Sequence, residues 1–269
     1  GRIPLHNLQA IVTFGYTGAS PALMGACAQR DIELSFMSGN GRFLARVSGE
    51  EKGNVTLRKT QYRISEKKEE SVKIAKNFIL GKVYNARWVL ERAARDYSMR
   101  LDAELLKKKS AFLGQSMNKI RECEDAGTLL GLEGEAASVY FSAFDERILQ
   151  QKEDFYFHGR NKRPPLDNVN AMLSFGYSLL AGMCGGTLEA VGLDPYVGFF
   201  HTDRPGRMSL ALDLMEEFRS VMVDRFVLTL INKRIMKPEY FLTKENGAVI
   251  MTEEGRKAFL SAWQGKNRR

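Results

Sequence analysis

The stretch Tyr196–Arg219, YVGFFHTDRPGRMSLALDLMEEFR, predicts a turn that leads directly into a helix. Its apolar run ends at His201, and Pro205 and Gly206 break the chain shortly afterwards. Apolar residues then recur at helical spacing, which indicates an amphipathic helix. We expect this helix to begin near Ser209, with that residue as its N-cap.

The predicted helix carries carboxylates close to the histidine. Asp213 and Glu216 are three residues apart, so they lie on neighbouring positions of one helical face. A carboxylate pair beside His201 is compatible with a metal site. It is also compatible with a solvated acidic face and a turn histidine, and this stretch alone leaves both interpretations open.

A second stretch, residues 127–144, favours the metal interpretation. Its Glu133 lies at the predicted start of a helix, about 133–150, that is otherwise small and apolar. A carboxylate in such a run needs a partner, because burying an unpaired charge is costly. The alternative is an acid of the first helical turn stabilised by the helix dipole, which explains Glu135 better than Glu133.

Composition limits the class of protein. The chain has 269 residues, 44% of them hydrophobic, which is enough for a substantial core. Its 40 Lys and Arg exceed its 32 Asp and Glu, giving a net charge of +8 that is compatible with nucleic acid as a partner. No apolar run approaches the ~20 residues of a membrane span, so we expect no membrane.

The cysteines and histidines exclude several kinds of site. Three scattered cysteines argue against a disulfide framework and for a reducing compartment. Three histidines make a centre built mainly from histidine improbable. The N-terminus does not resemble a signal peptide and begins in the middle of a strand pattern, so we expect an incomplete start.

The order of predicted elements indicates an α+β fold in two domains. Residues 1–53 predict a small β-rich domain with a helix opening at Ser20-Pro21, a turn at 38–41 and a terminal linker. Residues 54–269 predict a larger helical domain. Asp167 is a candidate cap for one of its long helices, and all candidate metal ligands lie in this domain.

Four motifs, in this order, resemble the CRISPR-associated adaptation integrase family, also called the CRISPR endonuclease and known as the universal spacer-acquisition nuclease. The resemblance extends to about residue 265. The motifs are Gly131-Leu132-Glu133-Gly134, Arg163-Pro164-Pro165-Leu166-Asp167-Asn168-Val169-Asn170-Ala171-Met172-Leu173-Ser174-Phe175, Gly198-Phe199-Phe200-His201-Thr202 and Asp213-Leu214-Met215-Glu216-Glu217-Phe218-Arg219.

The resemblance implies a divalent metal held by Glu133, His201 and Glu216, which would also be the catalytic residues. Asp213 would support these ligands without binding the metal, and Arg219 would pair with an acidic residue of the site. Carboxylates suit Mg²⁺ or Mn²⁺, and the histidine favours Mn²⁺. We assign five basic residues near the predicted site to the DNA backbone: Arg160, Lys162, Arg163, Arg204 and Arg207.

The implied reaction joins the 3′-hydroxyl ends of short foreign DNA fragments to the CRISPR repeat by transesterification. The implied assembly is a homodimer, two copies of which are bridged by a small ferredoxin-like CRISPR-associated protein, in the prokaryotic cytoplasm. Two alternatives stay open. One is a hydrolytic, structure-selective DNA nuclease that uses the same ligands, and the other is a non-catalytic subunit that only holds DNA.

Overall fold

A three-stranded sheet and one helix lie at the N-terminal end of the chain. The computed structural model describes residues 3–8, 10–30, 32–39, 43–50 and 54–267. In the sheet order β1-β2-β3, the first two strands are parallel and the last two antiparallel. The elements are β1 (Ala10–Phe14), α1 (Pro21–Gln29), β2 (Glu33–Met37) and β3 (Phe43–Val47).

Local sequence explains how this unit is built. The Ser20 side chain accepts a hydrogen bond from the Leu23 amide at 3.2 Å, and Pro21 opens the helix, so the predicted start of α1 is confirmed. Helix α1 provides the crossover that a parallel pair of strands needs. The predicted turn at 38–41 lies partly outside the described residues, since residues 40 and 41 are among those not described.

Helices dominate the rest of the described chain, and the predicted α+β class is confirmed. We keep the division into domains at residues 53 and 54 as a proposal, because residue 53 lies outside the described part. The elements are α2 (Val55–Ser65), α3 (Lys68–Asp96), α4 (Ala103–Glu122), α5 (Ala126–Phe141), α6 (Asn168–Ala190), α7 (Ser209–Phe218), α8 (Arg225–Asn232), β4 (Phe241–Thr243), β5 (Val249–Met251) and α9 (Glu253–Asn267).

Helix α5 begins seven residues before its predicted start. The Asp125 side chain accepts a hydrogen bond from the Thr128 amide at 2.9 Å and caps the helix there. The prediction that the helix starts at Glu133 was therefore wrong. Glu133 lies in the middle of α5, where the helix dipole does not account for a carboxylate.

Helix α7 continues without a break through a π-helical segment, Arg219–Asp224, into α8. Ser209 is the first helical residue, not the N-cap, and its hydroxyl donates to the Thr202 carbonyl at 3.2 Å. The predicted cap was thus one residue out. π-Helical turns inside α-helices are frequent at functional sites, and this one begins three residues after Glu216.

Helix α6 is long and apolar enough to cross a membrane by length and composition, so the expectation that no such segment exists was wrong. However, 61% of its most apolar window is buried inside the fold. The helix packs in the main hydrophobic cluster with Met215 and Phe259, which makes it a core helix of this structure. The predicted cap of α6 is confirmed, as Asp167 accepts from the Asn170 amide at 2.7 Å.

A close approach of α3 and α7 creates the site. A Cβ added at Gly81 would lie 2.8 Å from Glu217 Cγ, so a larger residue there would have to displace the Glu217 side chain that packs on α3. Helix α5 packs against α3 in a second hydrophobic cluster that contains Ile79, Leu129 and Ala136. Carboxylates from α5 and α7 consequently face the same part of α3.

Candidate metal centre

Asp213, on α7, holds the loop that carries the histidine. Its side chain is fully buried. Its two oxygens accept hydrogen bonds from the backbone amides of Phe199, Phe200 and His201, at 2.7, 2.9 and 2.9 Å. Burial without partners would be costly for a carboxylate, so these donors explain why Asp213 can be buried, and they tie the loop to α7.

Asp213 also orients the His201 ring. The ring nitrogen Nδ1 lies 2.7 Å from Asp213 Oδ1. In the tautomer in which Nδ1–H donates a hydrogen bond to this carboxylate, the second ring nitrogen, Nε2, keeps its lone pair for a ligand. The His201 side chain is 24% exposed, so the ring is accessible from outside.

The backbone at Gly198 has no room for a side chain beside the contact of Asp213 with His201. A Cβ added at Gly198 would lie 2.8 Å from Ser209 Cβ, 2.9 Å from the His201 carbonyl oxygen and 3.0 Å from Asp213 Oδ2. The Gly198 amide also donates to Asp203 at 3.2 Å. The glycine of the Gly-Phe-Phe-His motif is therefore required by close packing against Asp213.

Glu216 is buried on α7 between two cations. Its Oε1 lies 3.0 Å from the Arg219 guanidinium, and its Oε2 lies 2.7 Å from Lys82 Nζ. Burial by itself would raise the pKa of Glu216, but the charges of Lys82 and Arg219 outweigh it and hold the pKa below the ordinary value. The carboxylate is thus kept ionised, and the expected pairing of Arg219 with an acidic residue is confirmed.

Glu133, on α5, reaches the same place. Its Oε1 forms an ion pair with Lys82 Nζ, so a single ammonium group bridges Glu133 and Glu216. The Glu133 side chain is only 16% exposed. Lys82 is therefore the partner that the Glu133 carboxylate needs in its apolar surroundings.

A buried polar network lies behind Glu216. The Arg219 guanidinium stacks over the Tyr177 ring, 4.7 Å from its centroid. The Tyr177 hydroxyl donates to Asp224, the last residue of the π-helical segment, which is also bonded to Tyr140. Burial raises the pKa of Asp224 despite these hydrogen bonds. The network fixes the position of Arg219 and, through it, of Glu216.

The residues predicted as ligands lie close together, yet they do not form a ready metal cluster. Within the described ranges, no group of three or more His, Cys, Asp or Glu side chains is arranged to hold an ion. The Lys82 ammonium lies where two of the carboxylates converge. Glu216 Oε2 is buried and has no well-aligned hydrogen bond, although Lys82 is 2.7 Å away. Two carboxylates and an imidazole fit a divalent cation, so this donor set suits Mg²⁺ or Mn²⁺.

Two of the five predicted DNA-binding residues, Arg160 and Arg207, form hydrogen bonds within the protein. Arg160 donates to Asn170 Oδ1 at 2.6 Å and to Ser174 at 3.1 Å. Arg207 donates to the Thr202 carbonyl and, at 3.3 Å, to Ser209 Oγ, and so braces the turn after His201. Both side chains hold the loops in place, whatever else they contact.

The other three, Lys162, Arg163 and Arg204, are exposed. The pKa of Lys162 is lowered, mainly by partial burial of its ammonium and next by the positive charges of Arg219 and Arg160. Glu216 and Lys82 also influence this pKa, so the Lys162 side chain lies near the carboxylates. These exposed cations lie in the two loops that precede α6 and α7. That surface can accept a phosphate backbone.

A family model described as CRISPR associated protein Cas1 matches residues 1–265. The chain belongs to the Cas1 family. It is 50% identical over 272 residues to the CRISPR-associated endonuclease Cas1 2 of Rhodospirillum rubrum, an alignment that covers 100% of this chain and 78% of that protein. The resemblance inferred from the four motifs is thereby confirmed.

Solved structures agree with this family. A Cas1 protein from Thermotoga maritima has a TM-score of 0.82 at 25% identity, over 99% of this chain and 82% of that one. A casposase bound to integration product has a TM-score of 0.81 at 28% identity, over 96% of this chain and 70% of that one. The Cas1 fold is thus shared with a protein solved on a product of DNA integration.

Sequence reasoning missed two parts of this Cas1 site, Lys82 and the network around Asp224. Lys82 is three residues after Ile79 and four before Ala86, both buried, so it lies on the buried face of α3. Asp224 interrupts an apolar run in the same way. A charged residue on an otherwise buried helical stripe was the available signal.

Proposed function

We propose that this Cas1 protein is a metal-dependent DNA integrase and endonuclease of CRISPR adaptation. It joins the 3′-hydroxyl ends of short foreign DNA fragments to the CRISPR repeat. One observation carries the proposal: Glu133 of α5 and Glu216 of α7 converge on a single cation, beside an accessible His201 and exposed basic loops. The Cas1 family and the casposase likeness support the reaction class.

The joining reaction is a transesterification at phosphorus. The 3′-oxygen of the fragment attacks a phosphodiester of the repeat and forms a new phosphorus–oxygen bond. The bond from that phosphorus to the 3′-oxygen of the repeat strand breaks, and the proton lost by the attacking hydroxyl passes through water to the leaving oxygen. One phosphodiester replaces another, so no external energy source is needed.

The proposed ligands are Glu133, His201 and Glu216, and the ion is Mg²⁺ or Mn²⁺. When bound, the metal supplies a Lewis acid for the negative charge that develops on the phosphate oxygens. Asp213 keeps His201 Nε2 directed toward the ligand position. Arg219 holds Glu216 ionised and in place.

The exposed basic side chains position the DNA. Lys162, Arg163 and Arg204 neutralise phosphates without reading bases. Arg160 and Arg207 contribute to DNA binding indirectly, because they hold the loops that carry the exposed cations. We further propose the homodimer, the bridging ferredoxin-like CRISPR-associated partner and the prokaryotic cytoplasm as the setting of the reaction.

A fragment that ends in a 3′-deoxy sugar tests the proposal directly. With a normal 3′-hydroxyl, the bridging partner and Mn²⁺, the expected product is a branched joint between fragment and repeat, resolved on a denaturing gel. The 3′-deoxy fragment has no attacking oxygen, so the branched product should disappear. Equal nicking of the repeat with both fragments, without any branched product, would instead support a hydrolytic nuclease.

Affinity for DNA should depend strongly on salt. If about 6–10 phosphates are contacted, binding should weaken ~10³–10⁵-fold between about 50 and 200 mM salt. Arg163→Ala should reduce the slope of log affinity against log salt by about one unit and leave sequence preference unchanged. Fluorescence anisotropy on two unrelated duplexes measures both quantities.

The matched control is Arg95→Ala. Arg95 is also an exposed arginine, but it lies 13 residues beyond Lys82 on α3, or about 20 Å along the helix axis. Its replacement should leave the slope unchanged. A slope that does not respond to Arg163→Ala, or that responds equally to both variants, would remove Arg163 from the DNA-binding surface.

A further inference from the structure

Lys82 occupies the position where a cation is held by Glu133 and Glu216. Its ammonium contacts Oε1 of the first and Oε2 of the second, and all three side chains are at most 17% exposed. No oxygen of a third carboxylate is among the contacts described for Lys82 Nζ. The side chain that bridges the two carboxylates is therefore a cation supplied by the chain itself.

We propose that Lys82 is an internal competitor for the metal: it neutralises Glu133 and Glu216 in the metal-free protein and must leave them for the metal to bind. The proposal rests on the proposed function, since it concerns the same ligands. It adds a residue of α3 to a site otherwise built from α5, α7 and the His201 loop.

The balance of charge requires this exchange. Without metal, the two carboxylates Glu133 and Glu216 are matched by two cations, Lys82 and Arg219. With Lys82 still in place, a divalent ion would raise the positive charge of this largely buried site to four, against three negative charges when Asp213 beside His201 is counted with Glu133 and Glu216. Departure of Lys82 would leave three against three. Repulsion between cations a few ångströms apart is strong where water is excluded, so one of the two resident cations has to move.

Lys82 is the one that can move. The Arg219 guanidinium is stacked on Tyr177, 4.7 Å from the ring centroid, and belongs to the network around Asp224. Lys82 carries its ammonium on a flexible four-carbon stem. A cavity of about 40 Å³, lined mostly by apolar side chains, adjoins Lys82 and Arg219 alike and also Ser220, so the flexible stem of Lys82 and not the cavity distinguishes the two cations. That volume exceeds the roughly 10–15 Å³ that one water needs, and the buried Ser220 hydroxyl there has no hydrogen-bond partner.

Competition lowers the apparent affinity for metal by the fraction of molecules in which the carboxylates are free. If Lys82 holds them in about 90–99% of metal-free molecules, the dissociation constant rises about 10–100-fold. Removing the ammonium should therefore tighten metal binding even though a side chain next to the site is lost. A lysine that only stabilised the fold would give no such gain.

The test measures binding of Mn²⁺ alone, by the electron paramagnetic resonance signal of free Mn²⁺, in the whole chain without DNA. Lys82→Met should bind Mn²⁺ at least about 10-fold more tightly than the wild type. Without metal, its melting temperature should be lower than that of the wild type, because the two carboxylates are left with Arg219 alone. Addition of Mn²⁺ should then raise the melting temperature more than it does in the wild type. If Lys82→Met does not fold, Lys82→Gln provides the same comparison with a side chain that still donates hydrogen bonds.

Lys162→Met is the matched control. It removes the same unit of charge near the carboxylates, as the effects of Lys82 and Glu216 on the pKa of Lys162 indicate, but it breaks no described contact with them. Its affinity for Mn²⁺ should rise no more than about 2-fold. An equal gain in Lys82→Met and Lys162→Met would reduce the effect to general electrostatics, and no gain in either Lys82 variant would end the proposal.

Glu133→Gln separates this inference from the proposed function. If the wild type binds Mn²⁺ and Glu133→Gln does not, the metal site stands, and the Lys82 variants alone decide whether there is competition. If neither the wild type nor a Lys82 variant binds Mn²⁺, the proposed metal site is wrong, and the proposed role of Lys82 as a competitor is wrong as well. Binding by the Lys82 variants but not by the wild type would be the strongest support for competition.

Discussion

Glu133→Ala and His201→Ala should each abolish joining and nicking of DNA, with a loss well above 100-fold. Groups that only orient a metal ligand typically cost ~10–100-fold when removed, and loss of a ligand itself should exceed that. Glu133 is one of two carboxylates on the shared cation position, and His201 Nε2 is the ring nitrogen left free by Asp213. Joining is measured on labelled fragments with saturating Mn²⁺ and the partner protein.

Glu135→Ala is the matched control for the first variant. Glu135 lies two residues further along α5, is exposed and faces away from Lys82, so its loss should change the rate less than about 2-fold. Circular dichroism should show an intact fold in all three variants. Activity within a few-fold of the wild type in folded Glu133→Ala would reject the ligand and favour a subunit that only holds DNA.

Asp213→Ala should produce the largest loss of stability in the site. Three backbone amides of a partly buried loop, those of Phe199, Phe200 and His201, would lose their fully buried acceptor. Each unsatisfied buried donor costs about 1–3 kcal/mol, so the free energy of unfolding should fall by at least about 3 kcal/mol. Urea unfolding followed by circular dichroism measures this change.

Two further variants show whether the acceptor role of Asp213 causes the loss. Asp213→Asn keeps the shape but turns one acceptor into a donor that faces amides, so it should recover only part of the stability. Asp203→Ala removes an exposed carboxylate for which one hydrogen bond, from the Gly198 amide, is found among the described residues, and it should cost less than about 1 kcal/mol. If Asp213→Asn is as stable as the wild type, the amide contacts are not what holds the loop.

Much of the fold follows from local sequence. Ser20-Pro21 and Asp167 mark helix starts because their side chains accept from amides a few residues away. The helical character of residues 54–269 was predicted from amphipathic patterning. Such signals depend on residues close in the chain, so they can be found without knowing the tertiary structure. The start of α5 was missed because Asp125 was overlooked as a cap, and this placed Glu133 in the first turn instead of the middle of the helix.

The candidate ligands Glu133, His201 and Glu216, and Asp213 as their support, were named from motif resemblance, so the sequence by itself determined which residues were available. Only the tertiary structure decided what they contact. The contacts join residues far apart in the chain, 51 residues for Lys82 with Glu133, and such pairs leave no local pattern. Burial then sets the chemistry, because a carboxylate shielded from water must be hydrogen-bonded or paired with a cation. The packing of α3, α5 and α7 makes Lys82 the cation that Glu133 and Glu216 share.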